Sequence, residues 1–236
     1  MSPAIKKQKR LGWKIERAHW NTGKRVLFGV DEAGRGPLAG PVVAAAVHLP
    51  YELCQKLPKP LRAINDSKQL KEETREELFE LICSRKIAHG VGIVSNEEID
   101  TINILQATMK AMTIAVESLV VQLQTTELCP EMLLVDGNYF RTTLRYPFQT
   151  VVDGDAISPS IAAASIVAKV TRDRIMRELH VKYPEYDFAR HKGYATRSHR
   201  DAIALNGLSP VHRVSFGPTA IADWELFDEV DLSTLE

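Results

Sequence analysis

Only three cysteines occur in 236 residues, and Cys54, Cys83 and Cys129 stand far apart with no paired spacing. That scarcity argues against a disulfide framework and a cysteine-ligated zinc site, and it predicts reduced thiols in a cytoplasmic protein. No apolar run approaches the roughly 18 residues that a membrane helix needs. The longest, around Ile161 to Val170, is alanine-rich and interrupted by Ser165 and Lys169. Lys6, Lys7, Lys9 and Arg10 have no apolar segment behind them, so a secretory signal is not expected. G-x-S-x-G and G-x-x-x-x-G-K-[ST] are both missing, which removes a nucleophile elbow and a phosphate-binding P-loop. There is no internal repeat and no low-complexity segment, and no heptad asks for a partner, so a monomer is expected.

What remains is the composition of an ordinary globular chain, 44% hydrophobic and 25% charged, sufficient for a core without disulfides. The net charge is zero, but the charges are unevenly spread. The first 25 residues carry one acid, Glu16, among many bases, and the segment after Gly217 carries acids and no base. Arg, Lys and His crowd the stretch from Arg172 to Arg213, so neutrality can conceal a basic face. A solvated charged surface is the alternative. The reading divides the chain into a basic extension of uncertain order (1–24), a catalytic domain with C-terminal helices (25–218) and an acidic tail (219–236).

Strand signals lie at Val26 to Asp31, Val42 to Leu49, Ile87 to Val94, Met132 to Val135 and Phe148 to Val152. A helix is predicted over Ser67 to Arg85, capped by Asp66 or Ser67, with acids early and Arg85-Lys86 at its end. Ser95-Asn96-Glu97-Glu98 reads as a capping box opening one long helix through Leu119, with Met109 and Met112 on its core stripe. A further helix starts at Ser158-Pro159, and another spans Thr196 to Asn206 with Gly207 as its stop. Clustered strands followed by alternating helices and strands predict an α/β fold, a mixed sheet flanked by helices.

The most informative feature is Asp31-Glu32, set between the apolar run Val26 to Val30 and the turn Ala33-Gly34-Arg35-Gly36. Adjacent carboxylates repel, desolvating them is costly, and a divalent cation offsets both penalties. A solvated turn after an edge strand is the alternative. Two more strands also end in acids, at Asp136 and at the Asp153/Asp155 pair. In an α/β sheet such ends gather in one crevice. Oxygen-only ligation suits Mg²⁺ or Mn²⁺ rather than zinc. Two such ions about 4 Å apart can activate a water and stabilise the leaving oxygen of a phosphodiester.

The run Gly29 to Val42 (GVDEAGRGPLAGPV) resembles the N-terminal signature of the ribonuclease HII family, the type 2 ribonucleases H. Asn65 to Leu70, Asn103 to Ala107, Leu134 to Gly137, Ser160 to Asp173, His191 to Tyr194 and Ser215 to Pro218 continue the likeness in order. The resemblance implies a ribonuclease H-like fold and a metal-dependent endonuclease. Its substrates would be the RNA strand of RNA–DNA hybrids and single ribonucleotides in duplex DNA. The cut would fall 5′ to the ribonucleotide and leave 3′-hydroxyl and 5′-phosphate ends. It assigns Asp31, Glu32, Asp136 and Asp155 to the metals, Gly34, Arg35 and Gly36 to sensing the ribose 2′-hydroxyl, and Tyr194 to stacking on the neighbouring sugar. Lys68, Ser165, Lys169 and Lys192 are candidate phosphate contacts, Lys68 and Lys192 foremost. The chain departs from the family pattern at Asp153, where a basic or small residue is usual. Asp173 reads as an exposed partner of Arg177 at i+4. A type 1 ribonuclease H, a non-catalytic hybrid-binding module and a metal-dependent phosphatase are the rival readings.

Overall fold

The computed structural model describes residues 11–56, 58–84, 87–124 and 128–216. The Lys6 to Arg10 cluster, the Arg85-Lys86 pair, Gly217-Pro218 and the acidic tail lie outside the described residues. The chain forms α1 (Lys14–Trp20), β1 (Leu27–Ala33), β2 (Val42–Val47), α2 (Tyr51–Gln55), α3 (Glu72–Ser84) and β3 (His89–Val94). It continues through α4 (Asn96–Ile102), α5 (Ile104–Leu123), β4 (Met132–Asp136), β5 (Phe148–Val151), α6 (Pro159–Lys182), α7 (Phe188–His191) and α8 (Arg197–Asn206).

The five strands make one mixed sheet in the order β3-β2-β1-β4-β5. β1 is antiparallel to β2, β2 to β3, while β1-β4 and β4-β5 are parallel. This is the expected α/β architecture. Alternation along the strands splits the core in two. Leu27, Leu134 and Val151 pack with α6 on one face, and Phe28, Val30, Leu133 and Val135 pack with α5 on the other. Two close backbone approaches set the layers. A Cβ on Gly92 of β3 would lie 2.0 Å from the carbonyl oxygen of Ala111 in α5, and one on Gly29 of β1 would lie 2.1 Å from the carbonyl carbon of Ser160 in α6. A third cluster, Leu38, Ala39, Met176, Tyr186, Phe188 and Ile203, fastens the C-terminal helices onto the loop after β1.

Several predicted elements shift. The helix expected from Ser67 begins at Glu72, because Asp66 closes a local turn instead. Its carboxylate accepts from the Lys68 amide and the Gln69 side chain, both at 2.9 Å, the Asx-turn alternative to a helix cap. The single long helix after Ser95 is two. Ser95 does cap α4, but Asn103 takes a positive φ of 68° and its side chain accepts from the Gln106 amide, starting α5 afresh. The apolar stripe runs on across this break, so periodicity could not reveal it. Met109 and Met112 are buried against the sheet as expected. α5 is also long and apolar enough to cross a membrane by length and composition, contrary to the sequence reading. Its apolar face, including Met112, Ala115 and Leu119, is the core layer over the sheet.

Candidate active site

The parallel pairing of β1 and β4 matches Val30 with Val135, so Asp31 and Asp136 follow side by side at the ends of adjacent strands. Next to them β5 ends at Val151, and the turn Gly154–Ala156 brings Asp155 back toward the sheet. The amide of Gly154 donates to Oδ1 of Asp136 at 2.7 Å, tying the two loops together. Asp31 and Asp155 are buried, 4% and 5% exposed, whereas Asp153 is exposed on the left-handed residue of the turn. Asp155 therefore takes the inward position and the fifth acid points away.

A cleft of about 190 Å³ opens here, lined by Asp31, Glu32, Asp136, Ser165, Lys169 and Tyr194, with the Gly34-Arg35-Gly36 loop and Ser67-Lys68 closing its rim. Asp155 lies behind Lys68, whose ammonium is 3.2 Å from its Oδ2. Burial raises the Asp31 carboxyl well above its ordinary range, and the charges of Glu32 and Asp136 raise it further; a Ser165 hydrogen bond opposes them. Burial and Asp136 likewise raise Glu32 against the pull of Arg35, 3.4 Å away. Asp155 is raised too. Burial, Asp66 and Asp136 outweigh Lys68, even though the same pairing raises the lysine against its own desolvation. The two partners shift in the same direction because the acid is buried and the lysine side chain is 77% exposed. The four acids outnumber Lys68, Lys169 and Arg35, and Lys169 is itself paired with Asp173, so the site concentrates more negative charge than its bases neutralise.

That excess is the condition a divalent cation satisfies. The carboxylates offer oxygen donors, and the cleft lining contains no cysteine or histidine, so the residues fit Mg²⁺ or Mn²⁺. Among the described residues no three His, Cys, Asp or Glu side chains already gather around one point. The cleft is open, as suits a cation that keeps several waters and takes remaining ligands from a substrate phosphate. A larger groove of about 670 Å³ runs beside α5 and the Arg141–Thr143 segment, but it brings no carboxylates together beyond Glu117.

The loop Gly34-Arg35-Gly36 is held from beneath. Arg213 donates to the carbonyls of Gly34 (2.6 Å), Arg35 (3.0 Å) and Gly40 (2.9 Å). Arg172 donates to those of Pro41, Ala39 and Lys192, each at 3.0 Å. Both guanidiniums are 1% exposed, and burial lowers Arg172 to about 10 and Arg213 to about 9. Turning the loop's carbonyls downward leaves its upper edge to the cleft. The expected basic face between Arg172 and Arg213 is in this respect corrected. Both terminal arginines are interior struts, and His191, His199 and His212 are buried with them. Nothing in the sequence distinguishes a buried arginine bonded to carbonyls from a phosphate-binding one.

Other candidates separate clearly. Tyr194 reaches the cleft and is 44% exposed. Lys192 does not line it; its ammonium donates to the Ala189 carbonyl at 2.5 Å. Ser165 and Lys169, ranked behind it on sequence, are the ones in the lining. Ser67 joins them, sharing a 2.8 Å hydrogen bond with Ser165. Asp173 is not an exposed partner of Arg177. It is 3% exposed and pairs with Lys169 at 2.5 Å and Arg75 at 3.9 Å, while Arg177 turns to Glu72 and Glu76 on α3.

Comparison with known proteins covers the same residues. The family model for Ribonuclease HII matches residues 28–219. A ribonuclease HII of Acetivibrio thermocellus is 49% identical over 201 residues, 85% of this chain and 73% of the relative. One of Syntrophus aciditrophicus is 47% identical over 219 residues, 91% of this chain and 97% of the relative. The crystal structure of the ribonuclease H2 from Pyrococcus horikoshii OT3 matches with a TM-score of 0.61 at 28% identity, covering 86% of this chain and 99% of that one. The family match starts within β1 and runs past the last described residue: this chain belongs to the ribonuclease HII family, endonucleases of the ribonuclease H class.

Proposed function

We propose that this protein hydrolyses the RNA strand of RNA–DNA hybrids and cuts 5′ to single ribonucleotides embedded in duplex DNA. The observation that carries the reading is one cleft lined by Asp31, Glu32 and Asp136 together with Gly34, Arg35, Gly36 and Tyr194. A non-catalytic binder gains nothing from acids facing phosphates. A phosphatase has no use for a sugar-sensing rim.

Asp31, Glu32, Asp136 and Asp155 would hold Mg²⁺ or Mn²⁺, two ions in the favoured arrangement. When bound, the ions supply charge neutralisation and a water made acidic enough to attack phosphorus. The chain's own residues do the rest. The Gly34-Arg35-Gly36 rim, without side chains at its glycines, lets backbone groups approach the 2′-hydroxyl that distinguishes RNA from DNA. Arg35 and Lys68, both exposed, neutralise flanking phosphates. The ring of Tyr194 stacks on the next sugar and fixes which phosphate faces the acids. Water adds to that phosphorus, the P–O3′ bond breaks, and a proton goes to the departing 3′-oxygen. The products are a 3′-hydroxyl and a 5′-phosphate on the ribonucleotide.

An end-labelled DNA duplex with one embedded ribonucleotide tests this, incubated with Mg²⁺ or Mn²⁺. The expected result is a single cut 5′ to the ribonucleotide, lost on adding EDTA. Cleavage of a continuous hybrid without that cut would defeat the sensing role of the rim and Tyr194.

A further inference from the structure

Helix α1 carries a buried acid that the chemistry above leaves unused. Glu16 is 0% exposed. Its Oε1 accepts two hydrogen bonds, from the Ser158 hydroxyl at 2.6 Å and the Ser160 amide at 3.1 Å. Its Oε2 is buried with no hydrogen-bond partner among the described residues. Burying a carboxylate with an oxygen unsatisfied is costly. The capping of α6 is shared: the Ser158 hydroxyl accepts from the Ile161 amide at 3.3 Å, and Glu16 takes the Ser160 amide.

The segment that Glu16 grips is the one that presents Asp155. The amides of Ile157 and Ser158 donate to the Gly154 carbonyl at 3.1 and 2.8 Å, and the Gly154 amide donates to Asp136. The turn bearing Asp155 therefore hangs between two acids: Asp136 holds its front and Glu16 holds its back. The start of α6 also has no slack against the sheet, because Ser160 lies directly on Gly29.

We propose that Glu16 is a positioning residue for the cation site, setting where Asp155 stands relative to Asp136 and Asp31 through Ser158 and Ser160. The proposal rests on the reading that these carboxylates hold divalent cations. It gives the N-terminal helix a task in the reaction although none of its residues lines the cleft. α1 has another anchor: Trp20 is buried in the core and packs on Tyr51 with ring centroids 5.1 Å apart. Loss of the Glu16 carboxylate should therefore leave the helix docked.

The test compares the full-length wild type with Glu16→Ala and Glu16→Gln. Mn²⁺ binding is followed by the electron paramagnetic resonance signal of the free ion, alongside thermal unfolding and hybrid binding in EDTA. Groups supporting metal ligands typically contribute 10–100-fold to metal affinity, so Glu16→Ala should weaken Mn²⁺ binding about tenfold while hybrid binding in EDTA stays unchanged. Glu16→Gln keeps an acceptor at Oε1 and should restore most of that affinity. Equal Mn²⁺ affinity in wild type and Glu16→Ala, with only a lowered melting temperature, would overturn the proposal. If Glu16→Ala does not fold, Ser158→Ala severs the hydroxyl contact alone; unchanged Mn²⁺ affinity there overturns it as well. A wild-type protein that binds no Mn²⁺ would instead overturn the functional reading on which the proposal rests.

Discussion

The Gly154 amide donates to Asp136 Oδ1 across 2.7 Å, so one carboxylate both faces the cleft and holds the loop of its neighbour Asp155. These two tasks separate by substitution. Asp136→Asn keeps an oxygen that accepts from Gly154 but loses the negative charge. It should fold with a melting temperature close to wild type, retain hybrid binding, and lose cleavage. Asp136→Ala loses the acceptor as well and should cost a further ~1–3 kcal/mol for the unsatisfied amide. Activity with Mg²⁺ and thermal unfolding, run on both variants, check this. Wild-type cleavage by Asp136→Asn would remove Asp136 from the site.

Tyr194 is held chiefly by its backbone, although the Arg172 guanidinium lies over its ring, 5.9 Å from the centroid. Its amide donates to the His191 carbonyl at 3.0 Å, and its carbonyl meets Nδ1 of His199 at 2.9 Å. Tyr194→Ala should therefore change stability by less than about 1 kcal/mol, as expected for a half-exposed ring. Discrimination at a ribonucleotide–deoxyribonucleotide junction should fall about tenfold, the low end of the ~1–3 kcal/mol that stacking a base on an aromatic ring is worth. The ratio of cutting rates on a single ribonucleotide and on a continuous hybrid measures it. A large fall in melting temperature with the ratio intact would make the tyrosine a packing residue.

Much of this site was legible in the sequence because strand ends are marked by abrupt change. Asp31-Glu32 and Asp136 follow apolar runs that belong to a sheet, and parallel pairing aligns such ends. The turn at Asp155 was legible from Gly154. What the sequence hid were contacts between distant segments. Arg213 reaches the Gly34 carbonyl from 179 positions away, and Glu16 reaches Ser158 from 142. Neither leaves a local pattern. Nor could charge alone separate Lys192, which bends back onto Ala189, from Lys169, which lines the cleft. The break at Asn103 was hidden for a different reason: its cap lies inside a continuous apolar stripe.

The histidines behind Tyr194 predict a pH dependence. The Ser209 amide donates to Nδ1 of His212 at 2.9 Å, so that ring carries its proton on Nε2 and donates to Nε2 of His199, 3.1 Å away. His199 then carries its proton on Nδ1, which meets the Tyr194 carbonyl. Both rings must be neutral for this order to hold. Burial lowers His199 and His212 to about 4, with neighbouring His191 adding to the effect. The unfolded value is near 6.5, so between those limits the unfolded chain binds protons that the folded one refuses. Stability from this source is fully present above pH ~6.5 and is lost as pH falls toward ~4, on the order of 3 kcal/mol for each ring. Asp31 and Glu32, raised by burial, act with the opposite sign, since their protonation at low pH favours the fold. The two contributions are separated by following the ring protons of His199 and His212 by NMR. Neither should titrate between pH 8 and 5. Titration of both near 6.5 would dissolve the relay.

The two glycines flanking Arg35 should fail in different ways when replaced by alanine. At Gly34 φ is +98°, and a Cβ would lie 2.1 Å from Nε of Arg172 and 2.9 Å from the Pro41 carbonyl. Arg172 cannot retreat, because its guanidinium is committed to three carbonyls. Gly34→Ala should therefore destabilise the whole protein by ~2–4 kcal/mol, combining backbone strain with a buried clash. Gly36 has an ordinary φ, and its Cβ would meet only the Tyr194 ring, at 4.0 Å. Gly36→Ala should unfold like wild type. Its methyl group would stand in the gap between rim and tyrosine, where the proposed function puts the ribose. The expected result is a protein of normal stability whose KM for a single-ribonucleotide duplex rises at least tenfold, with Mn²⁺ affinity unchanged. Urea unfolding and steady-state kinetics on the two variants check the contrast. Normal cutting by Gly36→Ala would mean that the sugar does not pass between Gly36 and Tyr194.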